Sequence, residues 1–160
     1  MLSKVKSATL LGLNCYEVEI EIDISSGVPN FNIVGLAEQE VQESKERVRS
    51  ALKNSGYEFP LKRITVNLAP ADLKKDSPLL DLPIAVGILS TFLNLRFNPE
   101  DTAFLGELSF EGKIRRGKGL ISLVYGLKEK GYKKVFIPKA NEFECSLVED
   151  IDVYGISHIT

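Results

Sequence analysis

The chain has 160 residues, a formal net charge of -2, 44% hydrophobic and 26% charged residues. That length can bury roughly 70% of the unfolded surface without staples, and the near-neutral charge excludes a global field drawing the whole domain onto nucleic acid. Cys15, Cys145 and the single histidine, His158, offer neither a metal-ligand spacing nor a disulfide framework; with no signal peptide, the expected compartment is the cytoplasm.

Ser3 to Thr9 reads as a short strand. From Cys15 to Ile24 the pattern has period two: Val18, Ile20, Ile22 and Ile24 face one way, Glu17, Glu19, Glu21 and Asp23 the other. After the Ser25-Ser26-Gly27 turn, Phe31 to Val34 is a further strand, and the first half is expected to open as an antiparallel meander. A helix is predicted from Glu38 to Asn54. Its acids gather in the first half and its bases in the second, complementing the helix dipole. Glu43 and Arg47 form an i,i+4 pair, and Gly56 is a C-terminal stop.

Ile64 to Leu68 is a predicted strand and Leu80 to Leu93 a helix, with Pro83 tolerated in its first turn. That helix is apolar nearly all round, so it should be central and buried. The run Leu79 to Leu95 is broken by Asp81, Pro83 and Asn94 and is too short to span a bilayer, so no membrane partner is expected. Ala103 to Ser109 and Lys113 to Arg115 are expected strands around a Glu111-Gly112 turn. Then come a helix over Leu120 to Lys130, a strand over Val135 to Ile137, a short helix over Asn141 to Val148 and a last strand over Val153 to Gly155. No linker or repeat divides the chain, which reads as one domain over residues 1–160.

Three motifs could carry chemistry. Gly106 to Lys113, GELSFEGK, superficially resembles a phosphate-binding loop, but five residues separate its glycines and Ile114 stands where Ser or Thr would bind magnesium. A hairpin turn explains it better, and no cofactor site is expected in this segment. In the loop before the apolar helix, Ser77 could be a nucleophile oriented by Asp76, with Lys74 or Lys75 as its partner. A nucleophilic serine needs a base in reach, and His158 is far off in sequence. The favoured reading is therefore a helix cap at Ser77 or Asp76 and a loop solvated by its lysines. Lys113, Arg115, Arg116 and Lys118, in KIRRGKG, are the one basic cluster and a candidate for phosphate contact. No aromatic residue interleaves with them, which weighs against stacking on single strands. Tyr57, Phe59, Phe92 and Phe97 read as core or edge packing.

Three blocks, FNIVGLAEQEVQESKERVRSALKNSGYEFP, KRITVNLAPADLKKDSPLLDLPIAVGIL and FLGELSFEGKIRRGKG, resemble the N-terminal domain of the YifB/ComM family, bacterial proteins related to the magnesium-chelatase ATPase subunit. NLAPADLKKDSPLLDLPIA is the most diagnostic part, and the resemblance covers almost the whole chain. It implies an α/β (α+β) sandwich like the Lon proteolytic domain and the second domain of ribosomal protein S five, with a mixed sheet and packed helices. KKDSP looks like the loop that carries the Lon serine, and the segment from Gly106 to Asn141 like the one that carries its lysine. Leu79 stands at the nucleophile's place and Ile121 at the lysine's. An aliphatic side chain can neither attack a carbonyl nor move a proton, so no catalytic residue is expected. The resemblance further implies an AAA+ module after Thr160 that binds ATP and Mg, a homo-hexameric ring whose neighbours and own ATPase module are the domain's partners, and a DNA helicase acting in branch migration during natural transformation or recombination. The alternatives are a residual serine hydrolase using Ser77 and a stand-alone DNA-binding module.

Overall fold

The computed structural model describes residues 1–160. Strands β1 (Leu2–Leu11) and β2 (Asn14–Ser25) form an antiparallel hairpin in register from Leu2 opposite Asp23 to Leu11 opposite Asn14. Two residues, Gly12 and Leu13, connect them, and Gly12 takes the positive φ of 64° that such a tight hairpin turn needs. The alternation in β2 has the expected consequence: Val18, Ile20, Ile22 and Ile24 are buried, while Glu17 and Asp23 are exposed.

The expected meander is not formed. β3 (Asn30–Val34) does not pair with β2; it lies parallel to β4 (Arg63–Ala69), and β4 pairs antiparallel with β2. The reason is the connection. A helical crossover, α1 (Gln39–Gln42) and α2 (Ser44–Asn54), separates β3 from β4, and a crossover of that length is what parallel neighbours require. The single helix predicted over 38–54 is interrupted at Glu43, and Ser44, which follows, is wholly buried.

A 3-10 turn at Pro78–Leu80 leads into α3 (Asp81–Ser90), buried nearly throughout. The stretch predicted as one strand over 103–109 is two. β5 (Thr102–Phe104) belongs to the main sheet, and β6 (Glu107–Leu108) leaves it to pair with β7 (Ile114–Arg115) in a separate ribbon. Gly106 is captured between them by the start of α3: its N–H donates to Leu79 O (2.8 Å) and its carbonyl accepts from Leu82 N (2.9 Å). Then follow α4 (Leu120–Glu129), β8 (Lys134–Pro138), the short α5 (Glu142–Cys145) and β9 (Asp152–Ile156). The helix expected over Asn141–Val148 thus keeps only one turn of α-helix.

The result is a seven-stranded mixed sheet, β3-β4-β2-β1-β5-β8-β9. Its faces carry separate cores. Val5, Ile20, Ile22, Val66 and Phe104 pack with α2 and α3 on one face; Ala8, Ala103, Val135 and Ile137 pack with α4 and Cys145 on the other. Strand geometry dictates the split, because Ala103 and Phe104 are neighbours and must point to opposite faces. No helix is long and apolar enough to cross a membrane.

Candidate functional site

The loop from Ala69 to Pro78 links the end of β4 to α3, and its centre is Lys75. Lys75 is fully buried, which corrects the expectation that both lysines solvate this loop; Lys74 alone is exposed. The Lys75 ammonium donates to Gly35 O (2.7 Å), to Leu68 O (3.0 Å) and to Pro70 O. Its backbone is engaged as well: Lys75 N donates to Leu36 O and Glu38 N donates to Lys75 O, both at 2.9 Å. One residue therefore ties the β3–α1 connection to the end of β4. A buried ammonium is tolerable only when its donors are satisfied, and three carbonyls do that here. Burial still pushes its pKa down, against the opposing pull of Asp72.

Ser77 does what a cap does. Its hydroxyl accepts from Leu79 N at 3.2 Å, at the start of the 3-10 turn. The ammonium of Lys75 is committed to its carbonyls, so it is not the base that a nucleophilic Ser77 would need. Asp76 is exposed. Leu79 is 5% exposed and belongs to the core on the α4 face. A β-carbon added at Gly117 would sit 2.8 Å from Leu79 Cδ2, so the KIRRGKG loop closes directly over it. Asn141, itself buried, holds that loop: its Oδ1 accepts from Gly117 N (2.9 Å) and its Nδ2 donates to Gly117 O (3.0 Å). Ile121 is 42% exposed and lines a groove of about 790 Å³ with Leu13, Tyr125 and Leu147. The two positions that the resemblance paired hold one buried and one exposed aliphatic side chain.

Beneath the loop lies a polar network that the sequence pattern does not reveal. Asp81, wholly buried at the start of α3, accepts from Arg47 Nε (2.6 Å), Arg47 Nη2 (3.2 Å), Leu108 N (3.1 Å) and the Ser44 hydroxyl. Burial pushes its carboxyl up, and these donors oppose that shift. The only sequence signal is an acid inside an apolar helix. The network joins α2, α3 and β6, and every group in it faces another protein group.

The basic cluster is brought together only in part. Lys113 Nζ lies 3.9 Å from Glu111 Oε2, Arg115 Nε lies 3.7 Å from Glu107 Oε2, and Arg116 donates to Ala140 O at 2.9 Å. Lys118 is exposed. In the GELSFEGK segment the Gly106 N–H donates to Leu79 O, and Gly112 N closes a tight turn onto Ser109 O at 3.0 Å. Both glycine amides are thus paired with backbone carbonyls. His158 lies beside this turn, a ring nitrogen 2.9 Å from Glu111 O. No three His, Cys, Asp or Glu side chains come together in a way that would hold a metal ion.

Residues 20–141 match the family described as subunit ChlI of Mg-chelatase. The chain belongs to that family. Among its relatives, the protein YifB of Escherichia coli is 43% identical over 148 residues, 92% of this chain and 29% of YifB. The competence protein ComM of Haemophilus influenzae is 42% identical over 154 residues, 96% of this chain and 30% of ComM. The DNA repair protein RadA of Listeria monocytogenes is 34% identical over 91 residues, 57% of this chain and 20% of RadA. The chain thus spans about 30% of the length of its YifB and ComM relatives.

Proposed function

We propose that this chain is a non-catalytic accessory domain, N-terminal in a larger ATPase of the ComM/YifB type, and that its role is to support ring assembly or DNA engagement. The observation that carries the reading is the commitment of Lys75, Ser77 and Asp81, the polar groups of the diagnostic loop and helix start that are not exposed, to other protein groups. Lys75 is spent on three carbonyls, Asp81 on Arg47, Ser44 and Leu108 N, and Ser77 on a cap. A hydrolase needs one of these groups free and facing a cleft. The names of two relatives, a competence protein and a DNA repair protein, favour a parent that works on DNA in transformation or recombination. In this reading the parent is a cytoplasmic homo-hexameric helicase acting in branch migration. ATP and Mg bind its ATPase module, and the partners of this domain are that module and the ring neighbours.

The test compares this chain with the longer parent. The chain should neither hydrolyse ATP or peptides nor label with a serine-reactive fluorophosphonate. Ser77→Ala should leave the parent's DNA-stimulated ATPase unchanged. Peptide cleavage lost on Ser77→Ala would overturn the reading in favour of a residual hydrolase.

A further inference from the structure

The cations of this domain that remain free for an outside partner are not concentrated in KIRRGKG. Lys45, Arg49 and Lys53 recur every fourth residue along α2 and so share one helix face. Lys62, from the segment before β4, joins them around a groove of about 300 Å³ that also contains Glu46 and Phe59. Lys45, Lys53 and Lys62 make no salt bridge. Arg49 pairs with Glu46 at 3.1 Å, and its guanidinium lies 5.8 Å from the ring centre of Phe31 and 5.6 Å from that of Phe59. The groove thus gathers four cations against one carboxylate, in a chain whose net charge is negative. Glu58 lines the adjoining groove with Lys62.

Resting on the reading of a domain that engages DNA, we propose that this groove holds the phosphodiester backbone of a nucleic acid strand, with Lys45, Lys53 and Lys62 on the phosphates. The charge argument is direct. Unpaired ammoniums at helical spacing release counterions from a polyanion, whereas Lys113 and Arg115 already lie beside Glu111 and Glu107. Phe59 is half-buried at the edge of the groove, its ring centre 5.6 Å from that of Phe31 and 5.6 Å from the Arg49 guanidinium; an unpaired base would meet the part of that aromatic surface still open to solvent, so a single strand suits the site better than a duplex.

The experiment is fluorescence anisotropy of this chain with a labelled oligothymidylate of about 30 nucleotides and with a duplex of the same length, between about 25 and 200 mM KCl. The triple variant Lys45→Gln/Lys53→Gln/Lys62→Gln should weaken single-strand binding more than about tenfold. It should also flatten the plot of log affinity against log salt by about 2 units, at roughly 0.7 for each phosphate no longer neutralised. The double variant Lys113→Gln/Arg115→Gln should change both far less. Thermal melting of the variants checks that they fold. If the double variant abolishes binding and the triple variant does not, the groove is wrong while DNA engagement stands. If the unaltered chain binds neither oligonucleotide at the lowest salt, the groove and the DNA-engaging reading of this domain fall together. Tighter binding to the duplex than to the single strand would overturn the single-strand assignment.

Discussion

Arg47 Nε lies 2.6 Å from Asp81 Oδ2, joining α2 to the first residue of α3. The Asp81 carboxylate is wholly buried and Arg47 is 18% exposed. Removing one partner of a buried pair strands the other, which costs about 3 to 5 kcal/mol. Arg47→Met should therefore lower the free energy of urea unfolding by about 3 kcal/mol. The Leu108 amide, which donates to the same carboxylate at 3.1 Å, should lose hydrogen-exchange protection on Asp81→Ala. A change below about 1 kcal/mol for Arg47→Met would place the pair with surface bridges.

Lys75→Met should act as a deletion of three hydrogen bonds at once. The thioether fills part of the same space but leaves the carbonyls of Gly35, Leu68 and Pro70 without their donor. Of the three bonds only the one to Leu68 O is fully buried; a buried acceptor left unpaired costs about 1 to 3 kcal/mol, so a loss of at least about 1 kcal/mol is expected in urea unfolding. Exchange of the Glu38 and Lys75 amides, which pair across this clamp, should speed up together.

Gly35→Ala and Gly131→Ala should separate steric clash from backbone strain. Both glycines have positive φ, 106° and 92°. A β-carbon at Gly131 meets nothing within 4 Å, whereas at Gly35 it collides with the backbone carbonyl of Leu68. Gly131→Ala should cost about 1 kcal/mol from the left-handed conformation alone. Gly35→Ala should cost clearly more and disturb the Lys75 clamp. Equal melting temperatures for the two variants would refute this.

Tyr132 and Glu17 couple stability to pH at both ends. The Tyr132 hydroxyl donates to Glu17 Oε2 at 2.7 Å. Burial, and then Glu17, push the phenol pKa up. Its contribution is thus fully present below the unfolded value, near about 10, and is lost as pH rises above it. For Glu17, burial alone would raise the pKa, but the hydrogen bond from Tyr132 and the charges of Lys6 and Lys130 together lower it overall. Its contribution is present above the unfolded value, about 4.3, and fades as pH falls through the folded one. Tyr132→Phe should flatten the alkaline limb of the melting profile and, to a lesser degree, the acid limb.

Much of this fold is legible in the chain. The period-two run of β2, the apolar α3 and the Glu111-Gly112 turn follow from local pattern. The expected meander fails because adjacency in sequence is not adjacency in the sheet. The strand-helix-strand order from Phe31 to Leu68 already points to a parallel pair, a signal that the short β3 obscures. Ser77 reads correctly as a cap. Lys75 does not read correctly, since nothing local separates it from Lys74; its burial depends on carbonyls 40, 7 and 5 residues away. The basic cluster is visible because it is contiguous, but contiguity says nothing of Glu107 or the Ala140 carbonyl, which lie beside Arg115 and Arg116.

By itself, the sequence determined the period of each main element, the family and the aliphatic character of Leu79 and Ile121, because these are properties of residue type and spacing. Only the tertiary structure decided which charges are spent and which are free. Lys75 and Asp81 became interior because β3, β4, α2 and α3 converge on them. Lys45, Lys53 and Lys62 became neighbours because the crossover returns the chain beside its own helix. Electrostatic and hydrogen-bond partnerships form across distances that no local pattern encodes.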